Sequence, residues 1–378
     1  MKRPLLVLSL VGIVAGLYVW LTRIQPPAAP APSASATATP ESEVSAAPSS
    51  SPESAADAPE TAEPALPTPP EEVERSVAWA RDCDAAAEHG SEREQHNASL
   101  IAGMLDRTEE GKARKLDDLR WLLRNAPDSR CIGSNATLHP GQDGYDELTA
   151  LLASLAAPDD APLDVLANYA EWVAVPDAAT SLATYGRLQA RDPENPQWLS
   201  QEANIHMRDT SRAPLGDANA ATSAALAAEA LREALTLADE GMQRDHLLAK
   251  ATAAAAIAGD YEQAETWGKE LLAGLDDKRP NNHARWVGHE GLGLAALGRG
   301  DAEGAIAELL QMSDVPPGAV QGSFGPSMRL ADALLKAGHR DPVVEYLQKV
   351  GTFWQPDKVN AWLERLKAGE TFTLNRFG

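Results

Sequence analysis

The stretch 292-LGLAALGRGDAEGAIAEL-309 decides the fold of this chain. Alanine and leucine at helical spacing run up to Gly300, and a glycine suits the left-handed residue that ends a helix. Asp301 follows at once and caps the next helix by accepting hydrogen bonds from its free amides. Because one helix ends where the next begins, the two must fold back on each other as an αα-hairpin.

The same pattern, a glycine that ends one helix and an aspartate that begins the next, recurs on both sides of this stretch. Gly259–Asp260 repeats it 41 residues earlier than Gly300, and Gly338, followed by Asp341–Pro342, repeats it 38 residues later. Repeats of this length predict a solenoid, because a single hairpin cannot bury its own apolar face. No convincing run of alternating β-branched residues predicts a strand. The predicted fold class is all-α.

These residues resemble the tetratricopeptide repeat (TPR) family. The resemblance rests on a Leu-Gly, small, Gly-Asp, Ala, large, Pro order, carried by Leu292–Gly293, Ala296, Gly300–Asp301, Ala305, Leu309 and Pro316–Pro317. It extends more loosely to the segments around Gly259 and Gly338. Two further predicted hairpins are Leu166 to Asp192–Pro193, after which Asn195–Pro196 begins the next helix, and Ala220–Asp239. It implies a TPR-like αα-hairpin solenoid that binds other proteins. Met207–Asn219 and Ser313–Pro326 are predicted insertions, since the repeats exceed the family's usual length.

The N-terminus predicts a membrane anchor. Lys2 and Arg3 precede an uncharged apolar run over residues 4–22, which is just long enough to span a hydrocarbon core. The alternative is a cleaved signal peptide, but the apolar run is long for one and Gln25–Pro26–Pro27 is a poor cleavage site. The prediction is a cytoplasmic tip at residues 1–3 and an N-in, single-pass anchor in a bacterial inner membrane. Residues 23–74, rich in Pro, Ala, Ser, Thr and Glu, form a predicted disordered linker to a periplasmic folded part.

Three predicted regions follow the linker: an N-terminal helical region at residues 75–144, TPR-like repeats at 145–355, and a capping helix with a tail at 356–378. The only two cysteines, Cys83 and Cys131, fall in the first of these regions. In an exported chain such a pair predicts a disulfide. Neither cysteine belongs to a C-x-x-C motif, so redox catalysis and zinc binding are not expected.

The charge balance excludes one class of partner. The chain has 33 basic and 55 acidic side chains, for a formal charge of −22. Nucleic-acid binding needs clustered Lys and Arg, so no nucleic-acid partner is expected. The acidity also maintains solubility.

The resemblance predicts where a protein partner binds. In the family, the first helix of each hairpin lines a concave groove, which here predicts a lining of Glu290, Leu294, Leu297, Met328, Asp332 and Leu335. This lining has little positive charge, so it favours an apolar peptide or an amphipathic helix over a carboxylate-bearing tail. The alternative is that these residues pack on one another, on the C-terminal segment or on the N-terminal helices.

A polar cluster of His283, Trp286 and His289 is the one candidate for other chemistry. His289–Glu290 lacks the second histidine of H-E-x-x-H, and a zinc site needs at least three ligands. No phosphate-binding loop or serine-nucleophile motif is present. The sequence therefore predicts no catalytic residue, cofactor or metal, and a membrane-tethered periplasmic scaffold is the leading hypothesis. The alternative is a tethered enzyme or glycan-binding protein, which requires these side chains to converge in the solenoid hollow.

Overall fold

The computed structural model describes residue 84, residues 87–88 and residues 91–374, except residues 107, 137, 209, 211, 212, 214 and 276–280. Within these residues there are helices and no strand, as the all-α prediction requires. The helices, in chain order, are α1 Glu92–Leu105, α2 Glu109–Asn125, α3 Cys131–Ala136, α4 Tyr145–Ala156, α5 Leu163–Val173, α6 Ala178–Arg191, α7 Pro196–Met207, α8 Ala218–Leu237, α9 Met242–Ala258, α10 Tyr261–Gly274, α11 Asn282–Gly298, α12 Ala302–Asp314, α13 Ala319–Phe324, α14 Arg329–Lys336, α15 Arg340–Val350 and α16 Pro356–Lys367.

Neighbouring helices pair in sequence order. Each helix from α5 to α11 packs on the next, and the pairs α14–α15 and α15–α16 continue the series. First helices of successive hairpins also pack side by side, as α9 does on α11 and α11 on α14. Stacked hairpins of this kind form a TPR-like helical solenoid, and the predicted architecture of the repeats is confirmed.

The turns at Gly259–Asp260 and Gly300–Asp301 have the backbone conformation and the helix caps predicted from the sequence. Gly259 and Gly300 both have φ of +83°, in the left-handed region that glycine adopts without steric cost. The Asp260 carboxylate accepts a hydrogen bond from the Gln263 amide at 3.2 Å, and Asp301 caps α12 in the same way. The third turn differs in detail. Gly338 is left-handed, but α15 already begins at Arg340, so Asp341–Pro342 lies inside its first turn rather than capping it.

One predicted hairpin is a single helix. The segment Ala220–Asp239 belongs almost entirely to α8, which packs against both α7 and α9. Asp217, near the end of the preceding insertion, caps α8 by accepting a hydrogen bond from the Ala220 amide at 2.8 Å. Alanines that are fully buried on α8 and α9 allow these long helices to approach each other closely: Ala224, Ala227, Ala234, Ala251, Ala254, Ala255 and Ala256.

Two hydrophobic cores adjoin at α7. One core runs from Leu100 to Trp198, and the other begins at Leu199 and extends to Leu374. The second core ends under α16, where Val359 and Leu366 are buried and the tail residue Leu374 packs back. Helix α16 therefore covers the last hairpin.

The predicted anchor at residues 4–22, the linker at 23–74 and Cys83 lie outside the described residues. Among the helices that are described, none combines the length and the apolar character that crossing a membrane requires. Asp84, the residue after Cys83, is buried and accepts a hydrogen bond from Asn97 at 2.8 Å. Asn97 in turn accepts from Ser129 at 2.8 Å, two residues before the buried Cys131. The Cys83–Cys131 disulfide stays a prediction, and this network holds the flanking residues of both cysteines together.

Candidate functional site

The first helices α7, α9, α11 and α14 present one surface, which we call the inner face. Both predicted insertions fold onto it. The Arg329 guanidinium at the start of α14 donates to the carbonyl of Thr210, a buried residue of the first insertion. Gln321, on α13 in the second insertion, places its amide nitrogen 3.0 Å from Nδ1 of His283. The chain itself therefore covers part of the inner face.

The predicted partner groove is largely covered. Four of its residues are buried, and the other two are half-buried: Glu290, Leu294, Met328 and Asp332 in the first set, Leu297 and Leu335 in the second. The C-terminal tail contributes to this, because the Leu374 amide donates to the Asp332 carboxylate at 2.8 Å. Asp332 also pairs with Lys336 at 2.7 Å. Partner binding at these six residues stays a prediction. At Asp332 the contact with Leu374 matches the alternative in which the C-terminal segment packs on the groove.

The three residues of the predicted polar cluster, His283, Trp286 and His289, each contact a different part of the fold. His283 faces Gln321, whereas the buried Trp286 meets the ring of Tyr346 edge-on with centroids 6.4 Å apart. His289 turns towards α12, where its Nδ1 lies 2.8 Å from the Glu308 carboxylate. The three side chains do not converge on one cleft. The described residues also contain no group of three or more His, Cys, Asp or Glu side chains arranged to hold a metal ion.

A different polar group lies on the inner face and was missed by sequence reasoning. Lys250 on α9 is partly accessible but densely surrounded by protein, and its ammonium donates to Ser200 of α7 at 2.9 Å. Burial lowers the pKa of Lys250 to about 8. His246 lies one turn earlier on the same face of α9. Burial, followed by repulsion from Lys250 and then from His283, holds the pKa of His246 well below its ordinary value.

The sequence carried a signal for this group. On α9, His246 and Lys250 have the i, i+4 spacing that places two side chains on one face, in a helix otherwise dominated by Ala and Leu. Three further residues, Ala253, Ala256 and Ile257, lie later on α9. Of these, Ala256 is fully buried, and Ile257 forms a small buried cluster with Ala220 and Ala224, against which Met207 and Ala213 of the first insertion pack.

A second buried charge lies near the N-terminal end of the solenoid. Burial raises the pKa of the Glu171 carboxyl on α5, although the nearby Arg130 opposes the change. Tyr185 of α6 is almost fully buried, and burial together with Glu171 raises its pKa well above the ordinary value. A Cβ atom on Gly133 would lie only 2.4 Å from Oε2 of Glu171, so the glycine of α3 lets this carboxylate approach without displacement. Arg130 also pairs with Asp164 at 2.9 Å, and the group ties α3 to α5.

Comparison with known proteins finds similarity in structure and none in sequence. No known family profile matches this chain. No curated protein matches it either. Among solved structures it is similar to a tetratricopeptide repeat protein from Parabacteroides merdae ATCC 43184, at 14% identity and a TM-score of 0.40, over 71% of this chain and 98% of that one. On the helix pairing described above, the chain is a TPR-like solenoid of stacked αα-hairpins.

Proposed function

We propose that this protein is a membrane-tethered scaffold that holds a protein partner on the inner face of its solenoid, in the bacterial periplasm. The observation that carries the proposal is the part of the inner face over α7, α9 and α11 that the insertions leave accessible. His246, Lys250 and Ala253 on α9 are only partly buried there. Rigid first helices present these side chains in a fixed arrangement, so a partner binds without a large ordering cost.

The tether and the location rest on the N-terminal sequence. The apolar run at residues 4–22 follows two cations, which favours an N-in orientation. The linker at residues 23–74 has the composition of a chain that stays extended, and it holds the solenoid away from the bilayer. The predicted disulfide suits an oxidising compartment such as the periplasm.

Site-specific photocrosslinking in intact cells tests the scaffold role. A photoreactive amino acid at Ala253 on the inner face is expected to give a discrete crosslinked band with another protein. The same amino acid at Leu226 is the matched control, since Leu226 is 53% exposed on α8, the second helix of its hairpin. Equal crosslinking at both positions, or none at Ala253, would count against the inner face as the binding surface.

Two further measurements test the tether and the location separately. The full chain is expected to stay in the membrane fraction at alkaline pH and to be degraded by protease added to spheroplasts. The N-terminal sequence of the mature protein should begin before residue 22. A mature N-terminus after residue 25 would establish cleavage and remove the anchor, while leaving the crosslinking result intact.

A further inference from the structure

We propose that Lys250 is a nucleophilic amine, and that the inner face binds a small uncharged aldehyde covalently at this residue, as an imine. The proposal does not depend on the scaffold role, because it concerns a covalent small-molecule ligand rather than a protein partner. Three helices contribute to the site. Helix α9 carries Lys250 and His246, α7 supplies Ser200, and α11 carries His283.

The fold holds the side-chain nitrogen of Lys250 in a defined position. The nitrogen donates to Ser200 Oγ on the neighbouring hairpin at 2.9 Å, and Ser200 itself is only 3% exposed. This bond uses one N–H, so the neutral amine keeps its lone pair and a second N–H for a ligand. The contact is only part-buried and Lys250 is partly exposed, so a small molecule can reach the nitrogen from the inner face.

Lys250 has no carboxylate partner in the described part of the chain. Other described lysines do pair with one, as these contacts show: Lys112–Glu109, Lys269–Glu265, Lys336–Asp332, Lys349–Asp314 and Lys367–Glu364. Dense surroundings without a counter-charge favour the neutral amine over the ammonium. The neutral amine is the nucleophilic form, and desolvated lysines of this kind form Schiff bases with carbonyl compounds.

His246 is placed to move protons at this amine. It lies one turn before Lys250 on the same face of α9, and burial holds its pKa well below the ordinary value, helped by Lys250 and then by His283. At neutral pH its imidazole is therefore neutral, so that one ring nitrogen accepts a proton while the other donates one. His283 approaches from α11, where the amide nitrogen of Gln321 lies 3.0 Å from its Nδ1.

Imine formation at this site needs no oxidant, reductant or metal. The lone pair of the neutral Lys250 nitrogen forms a bond to the carbonyl carbon as the carbonyl π bond breaks. His246 accepts the proton that the nitrogen loses and returns a proton to the oxygen, which leaves as water. The product is a C=N bond, and addition of water reverses the reaction.

The surroundings favour a small ligand without an ionic group. Lys250 loses its charge when it reacts and His246 is already neutral, so neither holds an ionic substituent. Beyond Ala253, the next residue on this face is Ile257, which belongs to a small buried cluster against which Met207 of the first insertion packs. The insertion therefore limits how far a ligand extends along α9.

Reductive labelling of the full chain, purified in mild detergent, tests the proposal. Propionaldehyde with sodium cyanoborohydride converts an imine into a stable N-propyl-lysine, and peptide mapping by mass spectrometry gives the labelling rate of each lysine. Lys269 is the internal control, because its side chain is 67% exposed and pairs with Glu265. At pH 7 Lys250 should be labelled about tenfold faster than Lys269. Exposure alone predicts the opposite order.

The expected factor follows from the amount of neutral amine. With a pKa of about 8, roughly a tenth of the Lys250 side chains are neutral at pH 7, against fewer than about one in a thousand for an ordinary lysine. A less basic amine is also a weaker nucleophile, as is known for thiols, and this removes part of the advantage. About tenfold remains.

Three further measurements separate a built site from a merely reactive lysine. The labelling rate of Lys250 should level off above about pH 8, whereas that of an ordinary lysine rises to about pH 10. His246→Gln should slow labelling of Lys250 by about tenfold or more and leave Lys269 unchanged, since a proton carrier is lost. In urea the two lysines should be labelled at equal rates, because the unfolded chain lacks the site.

Several results would overturn the proposal. These are labelling of Lys269 as fast as Lys250, a Lys250 rate that rises through pH 10, and a preference that persists in urea. Labelling of Lys250 by acetyl phosphate but not by propionaldehyde would exclude an aldehyde as the ligand. An unchanged rate in the His246→Gln chain would exclude proton transfer by His246. Circular dichroism of the variant confirms that the helices are retained.

Discussion

Replacing Lys250 with Met should make the protein more stable at neutral pH. The ammonium is densely surrounded, bonds to Ser200 alone and has a pKa lowered by burial to about 8 from the ordinary 10.5. Folding therefore works against the charged form of this side chain. Met fills a similar volume and carries no charge, so the substitution removes this penalty and retains the packing.

The size of the effect follows from the pKa difference. At pH 7 a difference between 10.5 and about 8 corresponds to about 3 kcal/mol of destabilisation of the folded wild type. The lost hydrogen bond leaves the buried Ser200 hydroxyl without this donor, which costs about 1 kcal/mol. The net expectation is a gain of about 2 kcal/mol in the free energy of unfolding at pH 7.

The pH dependence of this gain has a definite sign. Between about pH 8 and pH 10.5 the folded wild type has released a proton from Lys250 that the unfolded chain still holds. Raising the pH through this window therefore stabilises the wild type relative to its unfolded state. The Met variant lacks this proton release, so its advantage should shrink by about 2 kcal/mol between pH 7 and pH 9.5.

Urea unfolding, followed by circular dichroism at both pH values, measures the difference. Lys269→Met serves as the control, because Lys269 is an exposed lysine of α10 that pairs with Glu265. It should show no comparable gain at either pH. Other groups that titrate in this range contribute equally to the wild type and the variant, so they cancel in the difference. A Lys250→Met chain that is less stable than the wild type at pH 7, or a gain that does not change with pH, would refute the reasoning.

Three further predictions concern the scaffold. Gly291→Ala should lower the free energy of unfolding by about 1–3 kcal/mol, since the added methyl group would lie 2.2 Å from the methyl of the buried Thr252 on α9. Gly322→Ala is the control, because a Cβ atom there has no neighbour within 4 Å. In the same urea experiment the control should be neutral or slightly stabilising. Asp301→Ala should lower the free energy of unfolding by about 1 kcal/mol, because α12 loses its N-terminal cap. Unchanged stability in the urea experiment would contradict the role of the Gly-Asp turn. Thiol titration of the denatured, unreduced protein should find no free thiol at Cys83 or Cys131, and detection of two would disprove the predicted disulfide.

The hairpins could be predicted because their signals are local. Gly300 and Asp301 act through their own φ angle and through hydrogen bonds a few residues away, so neighbouring sequence suffices to locate the turn. The same holds for Asp260. At Gly338 the helix began earlier than expected, because the first turn of α15 accommodates Pro342 without a cap from Asp341.

The accessible part of the inner face could not be predicted in the same way. The periodicity of α11 and α14 indicates which side chains share one side of each helix. It does not tell whether that side lines an open groove or lies under a cover, because both arrangements have the same spacing. Asp332 is covered by Leu374, 42 residues further along the chain, and Arg329 meets Thr210 across 119 residues. Contacts of such sequence separation leave no periodic signal in either partner.

The sequence by itself determined the all-α class, the hairpin turns and their stacking, since helix propensity, caps and apolar spacing act within a few residues. Tertiary structure alone decided which polar groups share the inner face and which surface stays accessible. The Lys250–Ser200 contact and the folding of both insertions onto that face depend on how separate hairpins pack. The lowered pKa of Lys250 arises from its surroundings in three dimensions, so it could not be predicted from the sequence.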